Sequence, residues 1–279
     1  VLLRLEDLDR ERTKPGYVDA LRRDLEWLGL EWDGVVLQSD RRLQHEAAIE
    51  RWVDQGRIYA CECSRSLLRK EGRRAPDGSL IYPGTCRARR VDRAHWRAER
   101  RPLRVRLDDV EVTISDGSGA DLSGWPLREF GDPIVRRRDG VHAYHLVSVV
   151  DDDLDGVDRV VRGRDLMPST VLQAALRGLL GLAVPSYHHH CLLLERHGGK
   201  LSKLHGAVGC DELRERYAAE ELVGCLAHAV GLISEPTRCR PEDLVADFDW
   251  DRVSQYDVEM GWNQTEGLTV AATDPPHRT

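Results

Sequence analysis

Hydrophobic positions along the 279-residue chain change period several times, and each change marks an element. Val1–Glu6 alternates weakly and predicts a strand. Val18, Leu21, Leu25 and Leu28 recur at helical spacing behind Pro15-Gly16, which predicts a helix over Tyr17–Leu28. A second helix is expected from Arg41 to Gln55, with Ser39 and Asp40 as capping candidates and Gly56 as its stop. Between Cys61 and Arg101 no period survives, and the turn signals Pro76-Asp77-Gly78 and Pro83-Gly84 read as an irregular insertion. Leu103–Leu107 then alternates apolar residues with arginine, with Val110–Ile114 as the expected hairpin partner. Val141–Val150 and Val160–Arg162 are apolar runs expected to be strands, closed by Asp151-Asp152-Asp153 and by Gly163. Ser169–Leu180 carries Val171, Leu172, Ala175, Leu176 and Leu179 on one side of a helix. Cys191–Leu194 reads as a short buried strand, Asp211–Gly231 and Pro241–Ala246 as helices, and Gly267–Thr279 as a frayed end. Strands alternating with helices predict an α/β fold with a parallel sheet.

Composition narrows the class. A hydrophobic share of 41% with 32% charged residues is that of a globular protein, and no run approaches the roughly 18 apolar residues of a membrane helix. Seven cysteines, three of them close together, suit a reducing cytoplasm and a metal better than disulfides. The net charge of −7 conceals a basic island: Ser64–Arg106 holds 14 basic and 4 acidic residues, which predicts either a polyanion contact or a solvated arginine-rich face. Only four of the 41 basic residues are lysines (Lys14, Lys70, Lys200 and Lys203), and two of them share Gly198-Gly199-Lys200-Leu201-Ser202-Lys203. A flexible ammonium reaches a phosphate where a planar guanidinium does not, so this glycine-led segment is a candidate to swing over a nucleotide. The alternative is an ordinary exposed turn.

Two further constellations carry chemistry. Cys61-Glu62-Cys63 and Cys86 offer three zinc ligands across a loop rich in glycine and proline. The fourth is Tyr82 or His95; tyrosine is an uncommon zinc ligand, so spacing leans to His95. The second set is scattered: Arg4-Leu5-Glu6-Asp7-Leu8-Asp9, Tyr144 and Arg162-Gly163-Arg164-Asp165 each stand at or just past the end of an expected strand. Ligands of α/β sheets bind there, and an arginine can grip a carboxylate while a glutamate holds an ammonium. His188-His189-His190 is read as a packed turn beside that site rather than as a metal ligand set.

In order along the chain, Leu3–Asp9, Gly29–Ser39, Cys61–Arg65 with Tyr82–Arg87, Ala143–Asp152, Val160–Asp165 and Lys200–Lys203 resemble the glutamyl-queuosine tRNA(Asp) synthetases, short paralogues of bacterial glutamyl-tRNA synthetase. Lys200-Leu201-Ser202-Lys203 is similar to the Lys-Met-Ser-Lys-Ser signature of class I synthetases, with Leu204 in place of the last serine. The resemblance implies a Rossmann-type class I catalytic domain over 1–60 and 131–205, split by a zinc-bearing insertion over 61–130 and followed by a helical region over 206–279. It implies zinc on Cys61, Cys63, Tyr82 and Cys86, which overrules the lean to His95. It implies glutamate contacts from Glu6, Tyr144 and Arg162, and a catalytic loop of Lys200, Ser202 and Lys203, with Lys203 meeting ATP accompanied by Mg2+. The implied partners are glutamate, ATP and tRNA(Asp) carrying queuosine, for a cytoplasmic monomer without a membrane. Two alternatives are a fragment of a glutamyl-tRNA synthetase and a non-catalytic, zinc-stabilised RNA-binding remnant. Only 76 residues follow Lys203, too few for the long enzyme's anticodon-binding region. The His-Ile-Gly-His-like motif of class I synthetases belongs before Arg4 and is absent, so a shortened start and weak turnover are expected.

Overall fold

The computed structural model describes residues 1–9, 13, 15–195, 209–263, 265 and 267–270. In chain order its elements are β1 (Leu2–Leu5), α1 (Pro15–Trp27), β2 (Gly34–Leu37), α2 (Arg42–Asp54), β3 (Ile58–Ala60), α3 (Arg65–Glu71), β4 (Leu103–Val105), α4 (Pro126–Phe130), β5 (Ile134–Arg136), α5 (Tyr144–Leu154), β6 (Arg159–Gly163), α6 (Thr170–Leu180), β7 (Ser186–His190), β8 (Leu193–Glu195), α7 (Cys210–Arg216), α8 (Ala219–Ala229), β9 (Val258–Asn263) and β10 (Gly267–Val270). The chain divides into two compact units: Val1–Leu3 with Lys14–Gly34 and His190–Thr279, and Arg4–Thr13 with Val35–His189.

The second unit holds the larger core. Its sheet runs β3-β4-β5, antiparallel throughout, with Ile58 opposite Val105 and Ala60 opposite Leu103. Helices α2, α5 and α6 pack against one another beside this sheet. On α2, Ala48, Ile49, Trp52 and Val53 recur every three or four residues, so they share the face that is buried. They meet Leu103, Val105, Val135, Leu146 and Leu176 in one cluster. Burying a side chain of this size contributes about 1.5–3 kcal/mol, which makes this cluster the main support of the unit. Helix α6 stops at Gly181, whose φ of +67° is the left-handed conformation that only glycine adopts without strain. The 61–101 stretch is irregular as expected, apart from α3 and a short turn at Trp96–Ala98.

Several expectations are corrected. Val141–Val150 is no strand: Leu146, Val149 and Val150 stand at helical spacing on α5 and are buried. A short apolar run fits either period, and packing against α2 and α6 decides it. Val110–Ile114 does not pair with β4, which lies between β3 and β5; Val112 bridges to Gly124 instead. Ser39 does not cap α2: its backbone N–H and hydroxyl donate to the Asp7 carboxylate at 2.8 and 2.6 Å, and a 3-10 turn over Gln38–Arg41 leads into the helix.

In the first unit, β8 pairs in parallel with β9, and β9 antiparallel with β10. Cys191, Val258 and Met260 form its core, with Leu193, Leu226 and Leu268 packed against them. The single helix expected over Asp211–Gly231 is two, because Tyr217 and Ala218 have extended backbone between α7 and α8. Gly267–Val270, expected to fray, is β10, and its Leu268 N–H donates to the Tyr217 hydroxyl at 2.7 Å. The C-terminal region therefore combines helices with a strand pair, and 271–279 lie outside the described residues. Among the described residues no helix is long and apolar enough to cross a membrane.

Candidate functional site

Three of the four expected zinc ligands converge. Chain leaving β3 carries Cys61 and Cys63, and the turn after Pro83-Gly84 returns Cys86, so that the three thiol sulfurs lie within 4.8 Å of one another. Cys63 Sγ and Cys86 Sγ are 3.8 Å apart. Two thiolates each 2.3 Å from a tetrahedral zinc stand about 3.8 Å apart, whereas a disulfide needs about 2.05 Å. The spacing fits a metal and excludes a bridge. Tyr82 is buried in the same cluster, with its hydroxyl accepting the Cys86 N–H at 2.7 Å. Arg104 stacks 3.7 Å over the Tyr82 ring and donates to the Asp132 carbonyl at 2.6 Å, which fixes the ring's plane. Burial and the neighbouring thiols push Cys63 up to about 11. Burial also acts against the Cys86 thiolate, but the Glu62 N–H and the Tyr82 hydroxyl outweigh it and bring its pKa down. His95 is exposed, bonded to Asp92 at 2.8 Å, and is not a member of the thiol cluster.

Much of the basic island proves to be architectural. Arg89 and Arg101 share Glu62, Arg93 pairs with Asp54, and Arg106 donates to the carbonyls of Gly56 and Arg87. These side chains tie the insertion to itself, to the end of α2 and to the turn that follows it.

The three expected glutamate contacts come from three elements of the second unit. Glu6 follows β1 and is exposed, beside an Asp7 engaged by Ser39. A cleft of about 380 Å³ opens there, lined by Asp7, Asp9, Ser39, Arg42 and His142 among others. Tyr144 opens α5 with its ring exposed and edge-on to His145 at 5.3 Å. Arg162 lies on β6, half-buried, 5.3 Å from the centre of the Tyr187 ring. Arg162 and α5 are electrostatically linked: burial, then the Arg162 charge, drive His145 down to about 4, and its Nδ1 is buried without a hydrogen-bond partner among the described residues.

Arg162 is held by neutral groups. Its Nε donates to His189 Nε2 at 3.1 Å, Nη1 to Gln173 Oε1 at 2.7 Å, and Nη2 to the Thr170 hydroxyl at 2.8 Å and the Leu166 carbonyl at 3.3 Å. Four of the five guanidinium N–H groups are thus used among the described residues, which leaves one on Nη1. A two-pronged grip on a carboxylate requires exchange of a bond to Thr170 or Leu166.

His189, which contacts Arg162, and Asp116, which bonds His189, are residues that pattern reading misses. The three histidines form no turn; they end β7, where alternation makes the middle one buried and its two neighbours only partly so. That alternation is the available signal. Lys200, Ser202 and Lys203 lie outside the described residues.

The family model for class I tRNA synthetases (E and Q), catalytic domain, matches residues 1–227. The glutamyl-Q tRNA(Asp) synthetase of Nocardia farcinica is 45% identical over 254 residues, which cover 89% of this chain and 78% of that protein. The protein of the same name from Symbiobacterium thermophilum is 39% identical, covering 93% and 85%. Among solved structures, a glutamate tRNA ligase from Elizabethkingia meningosepticum in complex with its amino acid superposes with a TM-score of 0.74 over 92% of this chain at 22% identity, and is similar in fold. The chain spans 60% of the length of that ligase.

Proposed function

Because the chain belongs to the class I glutamyl- and glutaminyl-tRNA synthetase family, and within it to the glutamyl-Q tRNA(Asp) synthetases, we propose that it activates glutamate with ATP and transfers the glutamyl group to queuosine in the anticodon of tRNA(Asp). The observation that carries the glutamate part is Arg162, a half-buried cation whose hydrogen-bond partners among the described residues are all neutral. Such a charge stays short of a counter-ion until an anion arrives. In this reading Arg162 and Tyr144 hold a substrate carboxylate and Glu6 the ammonium. An α-carboxylate oxygen attacks the α-phosphorus of ATP, the bond to the leaving phosphate oxygen breaks, and pyrophosphate departs. Lys200, Ser202 and Lys203 meet the negative charge of that transition state, with Mg2+ accompanying ATP. Zinc on Cys61, Cys63, Tyr82 and Cys86 supplies a structural cross-link to the 61–130 insertion and takes no part in the chemistry. The reaction belongs to the cytoplasm, in a monomer.

The test is glutamate-dependent ATP–pyrophosphate exchange by the full-length protein without tRNA, followed by transfer of labelled glutamate to tRNA(Asp) with and without queuosine. Exchange without tRNA and transfer restricted to the queuosine-bearing tRNA are expected. Exchange that needs tRNA, with label on the 3′ end, overturns the reading.

A further inference from the structure

Arg162 on β6 is contacted by a residue of the neighbouring strand, β7. Its Nε donates to His189 Nε2 at 3.1 Å, while His189 Nδ1 lies 2.7 Å from Asp116 Oδ1. An arginine has donors only, so Nε2 must present its lone pair and the imidazole proton must sit on Nδ1, where the Asp116 carboxylate receives it. Asp116 is itself pinned: its other oxygen accepts the Ser118 hydroxyl at 2.7 Å and the backbone N–H groups of Ser118 and His189 at 3.1 and 3.3 Å. Both side chains of the pair are fully buried. The loop carrying Asp116 sits hard against β7, for a Cβ on Gly117 would come within 2.5 Å of His188 Nδ1 and 3.2 Å of the Tyr187 carbonyl.

We propose that Asp116 and His189 are positioning residues for Arg162, a carboxylate–imidazole relay that aims the guanidinium at an anionic substrate group without neutralising it. This rests on Arg162 as the glutamate contact. A carboxylate bonded directly to Arg162 would orient it equally well but would compete with the substrate carboxylate for the same charge. An intervening neutral imidazole fixes the Nε edge and leaves the Nη side short of a counter-charge. Burial, together with the Arg162 charge, outweighs Asp116 and lowers the pKa of His189, so the ring remains a neutral acceptor. Thr170 and Gln173, both on α6 and buried, brace the other edge.

Two measurements decide it. Nitrogen-15 NMR of the ligand-free protein should show His189 protonated on Nδ1 and the Arg162 Nε–H coupled to Nε2 across the hydrogen bond; an Nε2–H tautomer overturns the relay. Glutamate titration of the folded fraction of His189→Leu and Asp116→Ala should show affinity lowered about tenfold or more, the loss of one charge-assisted hydrogen bond, with ATP affinity near the parent's. His189→Gln, whose amide can both accept from Arg162 and donate to Asp116, should restore most of it. Unchanged glutamate affinity in His189→Leu, where Arg162→Ala loses it, overturns the proposal. Unchanged affinity in Arg162→Ala as well overturns the glutamate reading of Arg162 instead, and the tautomer seen by NMR then decides by itself whether the relay exists.

Discussion

Arg4 and Arg162 both lie on strands of the second unit and both are partly buried, yet their surroundings are opposite. Arg4 donates to Asp152 at 2.5 Å and to Asp155 at 2.8 Å. Arg41 joins Asp155 from the other side, and beneath them Asp151 accepts from Gln38 at 2.8 Å and bonds His45 at 2.8 Å. This is a network of opposite charges, two arginines against three aspartates, tying β1 and the start of α2 to the end of α5. Burial works against the Arg4 cation, but the bond to Asp152 and the field of the three aspartates raise its pKa regardless. Around Arg162 the same kind of side chain meets only neutral acceptors among the described residues. A cation with its counter-ions supplied holds the fold; one deprived of them is left to attract an anion, the role proposed for Arg162.

The comparison breaks most sharply at Asp155. Asp155→Ala takes a shared counter-ion from Arg4 and Arg41 at once, and removal of one partner from a buried pair costs about 3–5 kcal/mol. Chemical denaturation should show that loss, with glutamate affinity of the folded fraction within about twofold of the parent, since no contact to Arg162 changes. A large drop in affinity at constant stability would mean that the two arginines serve one site.

Acid should expose the next largest effect. His142 and His145 sit near 4, His142 through burial and the neighbouring His45, His145 through burial and Arg162. Both are depressed from an ordinary value near 6.5, so the unfolded chain binds more protons between pH 6.5 and 4. Stability is full above pH 6.5 and is lost as the pH falls towards 4, by about 3 kcal/mol for one such group. Asp155 is held below its usual range by Arg41, so its network gives way only at lower pH still. Unfolding midpoints flat from pH 7 to 4.5 would sink this ordering. The His145→Gln variant should flatten part of the slope.

Arg162→Met removes the cation but keeps its apolar stem. Glutamate affinity should fall about 30–150-fold, the worth of a charge-assisted hydrogen bond of about 2–3 kcal/mol. Stability should change by about 1 kcal/mol or less, because the lost bonds to Gln173, Thr170 and His189 are offset by release of an unbalanced charge. Titration calorimetry beside denaturation reads both. Stability loss as large as that of Asp155→Ala would show that Arg162 is architectural too.

The sequence made both arginines visible and could not rank them. Each stands near a strand end amid acidic residues, but the partners of Arg4 lie 148 and 151 positions away, beyond any local pattern. The thiol cluster was legible because its residues come in tight local spacings, Cys61-Glu62-Cys63 and, with Tyr82 four before it, Cys86. Helix α5 was not, since Val147, Val149 and Val150 suit a strand until packing on α2 and α6 selects the helical face. The inward turn of His189 depends on the register of β7, and its tautomer on an aspartate 73 residues upstream.

Arg97 supplies the smallest effect and the control that separates burial from partner count. Like Arg4 it reaches two carboxylates, Glu50 at 2.9 Å and Glu46 at 3.5 Å, and it also stacks 4.6 Å from the Trp96 ring. By number of contacts it should matter as much as Arg4. Its side chain is 53% exposed, however, against 23% for Arg4, so water screens each charge and solvates whichever partner is left behind. The stacking adds only about 0.5–1 kcal/mol at an exposed site, and the methionine stem in Arg97→Met retains part of the contact with Trp96. Denaturation of Arg97→Met should therefore show a loss under about 1 kcal/mol, shrinking further in high salt, while Asp155→Ala keeps its cost in the same salt. An Arg97 loss as large as that of Asp155, and equally deaf to salt, would mean that partner count rather than burial decides which arginines hold this fold.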